Sequence, residues 1–242
     1  MRFFAPIAFS VALMFSGSAL AQSALTPGTI SLVGNGEVAA TPDMAIVSSG
    51  VVSHGKTARD ALDANTLAMN QIFAVLLEAN IEQKDIQTSG FSVRPQYRYS
   101  DQRDANGYQL PPRILGYEVS NTLTVRVRNL DDLGQLLDRA VSVGSNQINS
   151  ISFAVTDTAP LLNEARRSAM ADAIAKAQLY AEAAGVSLGN IMSISEGSPI
   201  TAPQPQVVMM ARMAEDSGPV PVAAGELSFS KQVSVVWQLA QD

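Results

Sequence analysis

Between residues 116 and 129 the chain alternates strictly. Tyr117, Val119, Leu123, Val125 and Val127 fall on one side, and Glu118, Ser120, Thr122, Thr124, Arg126 and Arg128 on the other. Side chains alternate across a strand, so this pattern predicts one buried face and one wet face. Asn121 alone breaks the apolar set. The rhythm then changes to steps of three and four: Leu133, Leu136, Leu137, Ala140 and Val141 predict an amphipathic helix over 130–143, stopped by Gly144.

Upstream, residues 29–34 read as a short strand and Gly34-Asn35-Gly36-Glu37 as a turn. Residues 44–53 read as a strand bulged at Gly50. Thr57 is a good N-cap, with Asp60 placed to meet free backbone N–H groups. The stripe Leu62, Met69, Ile72, Phe73 and Leu76 predicts a long helix ending at Asn80-Ile81. Residues 86–99 read as a strand with an irregularity at Gly90 and an edge or bulge position at Pro95. The polar stretch near 100–114, with Asn-Gly and a double proline, is an exposed loop joining that strand antiparallel to the next.

Downstream, residues 148–156 predict a strand. Thr158 begins a second long helix, with Pro160 in its first turn, where proline is tolerated. Its inner stripe is Leu162, Ala165, Ala169, Ala173, Ala177 and Ala184, and Gly185 stops it. A strand follows over 191–196. Residues 198–226 are rich in Pro, Ala and Met without periodicity, an extended arm. Residues 227–239 close the chain as a strand, with Phe229, Val233, Val235, Trp237 and Leu239 on one face. The order strand, Thr cap, long helix, strand occurs over 44–93 and again over 151–195. The expected class is α+β: a mixed, largely antiparallel sheet with long helices packed on it, built from repeated strand–helix–strand units.

Composition changes this picture in three ways. The 242 residues are 47% hydrophobic and 16% charged, enough to bury a real core under a lightly charged surface. The net charge of −6 and the lack of clustered Lys and Arg exclude a nucleic-acid stripe. The N-terminus predicts a secretory leader over 1–21: Arg2, an apolar run to Phe15, then Ala19-Leu20-Ala21 with a cut before Gln22. The apolar run is too short for a membrane anchor, and no later segment is apolar enough to span. Cleavage leaves 15 − 22 = −7. With no cysteine, neither a lipoprotein anchor nor a disulfide can form, so core packing or self-assembly must hold the exported chain. The expected domain organisation is one domain over 22–242, and the expected destination is the periplasm.

Candidate chemistry is sparse. His54 is the only histidine, so a hydrolase triad would rest on it alone, and the donor set for a usual metal cluster is missing. Gly34-Asn35-Gly36 mimics a dinucleotide fingerprint but does not open a helix. Glu164 with Arg167, and Asp172 with Lys176, are spaced to pair along a helix face. Met209, Met210 and Met213 carry soft thioethers suited to Cu(I) or to oxidant buffering, which is the alternative function. No catalytic, cofactor-binding or metal site is assigned.

Several blocks together carry a family resemblance: Gly34-x-Gly36-Glu37 with Thr41-Pro42-Asp43-Met44-Ala45; Lys56-Thr57-Ala58-Arg59; Gln87-Thr88-x-Gly90; Gly116-Tyr117-x-Val119-Ser120 through Arg128; Asn163-Glu164-Ala165-Arg166; Ala173-Ile174-Ala175-Lys176-Ala177; Ala183-Ala184-Gly185-Val186; and Pro221-x-Ala223-Ala224-Gly225-Glu226. The chain resembles the SIMPL-domain family of exported bacterial proteins, in particular its periplasmic immunogenic, oxidative-stress-defence type. The resemblance implies an α/β subunit that self-associates into a large ring- or barrel-like homo-oligomer in the periplasm or at the envelope. It carries over no catalytic residue, so a non-enzymatic assembly protein is expected. Its subunits would meet through strand edges, helix faces and the arm near 198–226. The row of Ser, Thr and Arg ending in Arg126 and Arg128 is expected to be an assembly or lumen-facing surface.

Overall fold

The computed structural model describes residues 28–197, 204–206 and 220–240. It has two antiparallel sheets and three α-helices, each helix lying on one face of a sheet. The elements are β1 (Thr29–Ala40), β2 (Met44–Gly55), α1 (Ala58–Glu78), β3 (Ile86–Arg98), β4 (Arg113–Val127), α2 (Leu133–Ser142), β5 (Gln147–Ala154), α3 (Ala159–Ala184), β6 (Ser187–Glu196), β7 (Gln204–Gln206) and β8 (Glu226–Ala240).

One sheet has the order β3-β4-β2-β5 and carries α1 and α2. The alternation read at residues 116–129 is its backbone: Val119, Leu123, Val125 and Val127 of β4 are buried beneath Met69, Ile72, Val75 and Leu76 of α1 and Leu133, Leu136 and Leu137 of α2. Asn121 stands opposite Val51 of β2. Beside it the buried Asn65 of α1 donates from Nδ2 to the carbonyls of Val51 (3.0 Å) and Val119 (3.3 Å). The break in the apolar pattern therefore marks a polar seam where α1 crosses β2 and β4. α1 begins in a capping box: Asp60 N–H donates to Thr57 Oγ1 while Thr57 N–H donates to the Asp60 carboxylate. It ends at Asn80, whose φ of 59° is a left-handed conformation that asparagine tolerates.

The other sheet has the order β1-β8-β6, with β7 continuing along the β6 side of β8. The first and last strands pair along twelve residues, Thr29 with Gln238 through Ala40 with Leu227. α3 packs on this sheet through a ridge of alanines, Ala165, Ala169, Ala173, Ala177 and Ala181, all buried. Phe229, Val233, Val235 and Trp237 of β8 supply the bulk that the alanines lack.

Five expectations are corrected. Gly34-Asn35-Gly36-Glu37 is not a turn but the middle of β1. Gly34 and Gly36 share the face under α3, where a Cβ on either would collide with the backbone of the alanine ridge; the glycines serve close approach, not chain reversal. Ala184 is exposed, and Ala181 takes its place in the ridge. A further step of three from Ala181 turns back by about 60° at ~100° per residue, off the four-residue ridge. A single sheet is replaced by two. The two strand–helix–strand passages are not equivalent: β2-α1-β3 stays within one sheet, with β4 between its strands, whereas β5-α3-β6 passes from one sheet to the other. Helix α2 also starts at Leu133 rather than 130, after Asn129 Nδ2 and the Asp132 carboxylate bond in the preceding turn.

Candidate functional site

Each sheet of an open fold leaves two edges, and an edge strand offers unpaired N–H and C=O groups to any further strand. The β1 edge is capped near its middle. Asp172 and Lys176, four apart on α3, reach over it: the Asp172 carboxylate accepts the Asn35 N–H at 2.8 Å, and Lys176 Nζ donates to the Val33 carbonyl at 3.1 Å and to Asp172 at 2.6 Å. The two side chains replace the donor and acceptor of a neighbouring strand. The Lys176 ammonium, then the Asn35 N–H, hold the Asp172 carboxyl below its ordinary range.

The edge at β6 differs. Ile191, Met192 and Ile194 are exposed there, because α3 lies over β1 and β8 and hardly touches β6. One clamp ties β6 down: Glu196 takes Arg166 Nε of α3 at 2.9 Å and Lys231 Nζ of β8 at 2.6 Å. The Arg166 guanidinium first, then the Lys231 ammonium, lower the Glu196 carboxyl to about 2. The expected pairing of Glu164 with Arg167 is thus replaced by a longer-range contact of Arg166, while the Asp172–Lys176 pair forms as spaced.

At the β3 edge a hairpin runs beyond the sheet. Tyr97, Tyr99, Tyr108, Ile114 and Leu115 are all exposed on it, Tyr99 at 75% and Tyr108 at 73%. Residues 99–112 are held by their own bonds: Arg103 bridges to Gln109 and donates to the Gly107 carbonyl at 2.7 Å, and Asp104 accepts the N–H groups of Asn106 and Tyr108 at 2.9 Å. At the other end of the same sheet a cleft of about 250 Å³ opens between the C-terminus of α1, the end of β4 and α2, lined among others by Glu78, Asn129, Asp132, Gln135 and Arg139. A smaller apolar cavity of about 30 Å³ lies between α1, α2 and the sheet, lined by Ile72, Leu123, Val125, Leu136 and Ala140, with Ser49 at its rim.

The residues singled out from sequence disperse. His54 is exposed at the end of β2, opposite Glu118, with its Nδ1 3.2 Å from the Gln96 amide nitrogen, which also donates to Glu118. Arg128 leaves the wet row expected of it: it forms a two-pronged contact at 2.9 and 3.2 Å with Asp85, a buried carboxylate that the sequence reading missed. No local spacing links Asp85 to Arg128; only the pairing of Ile86 with Val125 brings them together. Arg126 stays exposed on the open face of the sheet. Among the described residues no group of three His, Asp or Glu side chains could hold a metal ion, and no helix is long and apolar enough to cross a membrane. The leader over 1–21, the cut before Gln22 and the Met209–Met213 cluster lie outside the described residues. Of the arm near 198–226, the described parts are 204–206, which pair with β8, and 220–226.

Comparison with known proteins places these surfaces in context. The SIMPL family, described as a protein of unknown function (DUF541), matches residues 30–237. The "26 kDa periplasmic immunogenic protein" of Brucella melitensis is 41% identical over 222 residues, covering 90% of this chain and 87% of the relative. The Brucella abortus protein of the same name matches equally. The "Uncharacterized protein YggE" of Escherichia coli is 32% identical over 246 residues, covering 98% and 94%.

Proposed function

The chain belongs to the SIMPL family, and from that premise we propose that it is an exported, non-enzymatic periplasmic protein whose copies assemble into a large ring- or barrel-like homo-oligomer at the envelope. The observation that carries this reading is where the large exposed apolar side chains lie. Two groups of them stand at strand edges, Ile191, Met192 and Ile194 on β6 and Tyr97, Tyr99, Tyr108, Ile114 and Leu115 on the β3–β4 hairpin, while others, such as Leu67, Leu179 and Tyr180, are scattered over the helices. Exposed apolar side chains beside a free strand edge are what a chain buries against another chain.

Three features support it. The chain has no cysteine to staple an exported fold. Its buried residues are divided between two cores, one under α1 and α2 and one under α3, so each sheet leaves a broad open face. The cap that Asp172 and Lys176 place over Asn35 and Val33 disfavours strand addition at the middle of β1. The periplasmic destination rests on the leader pattern of residues 1–21 and on the printed names of the Brucella relatives. The non-enzymatic reading rests on the family resemblance, which carries over no catalytic residue, and on the place of His54 at an exposed strand end beside Gln96 and Glu118.

Size-exclusion chromatography with light scattering on the chain from Gln22 onward tests the proposal. A mass several times that of one such chain is expected; a clean monomer at micromolar concentration would sink it. The stress-defence role implied by the family resemblance is part of the same proposal, and a deletion strain as resistant to peroxide as its parent would remove it.

A further inference from the structure

Two surfaces at opposite ends of one sheet complement each other. On the hairpin, Arg98 and Arg113 stand directly opposite across the β3–β4 pair, next to Tyr97 opposite Ile114. Like charges placed opposite destabilise a strand pair. Arg94, Arg98 and Arg113 are exposed and, among the described residues, form no ion pair. Residues 94–115 hold four arginines against Asp101 and Asp104, a balance of +2 in a chain of −6, and three of its five tyrosines. Tyr and Arg are the side chains that dominate protein–protein contacts. The hydrogen bonds of Arg103 and Asp104 shape the tip in advance, so docking costs it little ordering.

The cleft at the far end has the opposite character. Asp132 lines it, and Asp131 and Asp138, next in sequence to the lining residues Asp132 and Arg139, flank it; all three are exposed and form no ion pair among the described residues, whereas Glu78 and Asp85 are already paired with Arg139 and Arg128. The cleft is lined by apolar Ile81, Val127 and Leu136 and by Asp132, with the paired Glu78 and Arg139 at its wall. That is the counterpart of a tyrosine flanked by arginines.

The arm and the cleft cannot meet within one copy. β4 joins them, running from Arg113 at the arm to Val127 at the cleft, a separation of about 50 Å at ~3.3 Å per residue. We propose that the β3–β4 hairpin is a docking arm that enters the α1–β4–α2 cleft of a second copy of this chain. The contact is head-to-tail: each copy gives an arm at one end and receives one at the other. Such a heterologous interface repeats until rotation closes it into a ring. The inference rests on the self-assembly reading and specifies its interface.

A charge exchange tests it. One variant carries Arg98→Glu with Arg113→Glu; the other carries Asp131→Lys with Asp138→Lys, leaving Asp132 at the start of α2 untouched. Light scattering should show each variant alone associating about tenfold or more weakly than the parent, the loss expected for central interface residues. An equimolar mixture should assemble again, because reversed arms then meet reversed clefts and native arms meet native clefts. Tyr99→Ala with Tyr108→Ala removes apolar area without touching charge and should weaken assembly by itself, so the proposal stays testable if a charge variant fails to fold. If the parent assembles and all the variants assemble equally well, the arm is not the interface, though self-assembly stands. If the parent is a monomer, the self-assembly reading has failed and this inference with it. If the arm variant assembles normally but loses co-sedimentation with phosphatidylglycerol vesicles that the parent binds, the arm's partner is an anionic bilayer and the proposal is overturned.

Discussion

The carboxylate of Asp172 accepts the backbone N–H of Asn35 at 2.8 Å, from a helix 137 residues further along the chain. Its neighbour Lys176 donates to the Val33 carbonyl. Together they occupy one donor and one acceptor that an added strand would use, and so disfavour pairing at the middle of β1. Replacing both by alanine leaves the fold intact and opens that edge. Hydrogen exchange at the Asn35 amide should quicken by about tenfold, the equivalent of ~1.4 kcal/mol for one charge-assisted hydrogen bond. Light scattering at high protein concentration should show irregular larger species that the parent lacks. An unchanged Asn35 amide would mean that the contact protects nothing.

Gly36 tests the packing of α3 on β1. A Cβ at this position would collide with the backbone around Ala165 and Ala169, which no side-chain rotation relieves. Gly36→Ala should destabilise the chain by about 1–3 kcal/mol, the usual cost of overpacking. Gly107→Ala is the comparison, since nothing lies within 4 Å of a Cβ there; it bears the strain of its φ of 84° but no collision. Chemical denaturation of both variants reads the difference.

Asn65 holds the polar seam beneath α1. It is 1% exposed and donates to carbonyls of both β2 and β4. Asn65→Leu is similar in size but removes both donors and should cost about 1–3 kcal/mol. A variant as stable as the parent in urea would show that the seam contributes only shape.

Acid should act through Glu196. Its folded value, lowered to about 2 by Arg166 and then Lys231, lies below its ordinary 4.5. A depressed carboxyl contributes stability that is fully present above the unfolded value and is lost as pH falls through the folded one. The melting temperature of the parent should therefore fall between about pH 4.5 and pH 2, and Glu196→Gln should flatten part of that fall. Because the group is partly exposed, salt should shrink the difference.

What could be read from sequence followed from local periodicity. The two-residue alternation of β4 gave its buried set, and Thr57 with Asp60 gave the start of α1. Gly90 and Pro95 marked an irregular edge strand, which is how β3 pairs. What escaped depends on contacts distant in sequence. Gly34 and Gly36 suit a turn as well as a strand, and only the approach of α3 decides between them. Arg128 fits the wet face by alternation, but Asp85 draws it away. The division into two sheets was hidden because β1 pairs with β8, some 200 residues later, and no spacing announces that partnership. The candidate surfaces were legible only as a polar loop near 100–114; its arginines and tyrosines gained meaning when the register set Arg98 opposite Arg113.

The central claim is that copies of this chain close into one defined assembly. Mass photometry of the chain from Gln22, across nanomolar to micromolar concentration, measures it directly. The account predicts one dominant species with a fixed subunit number well above two. A monomer throughout, or a ladder of masses that keeps growing with concentration, would contradict it.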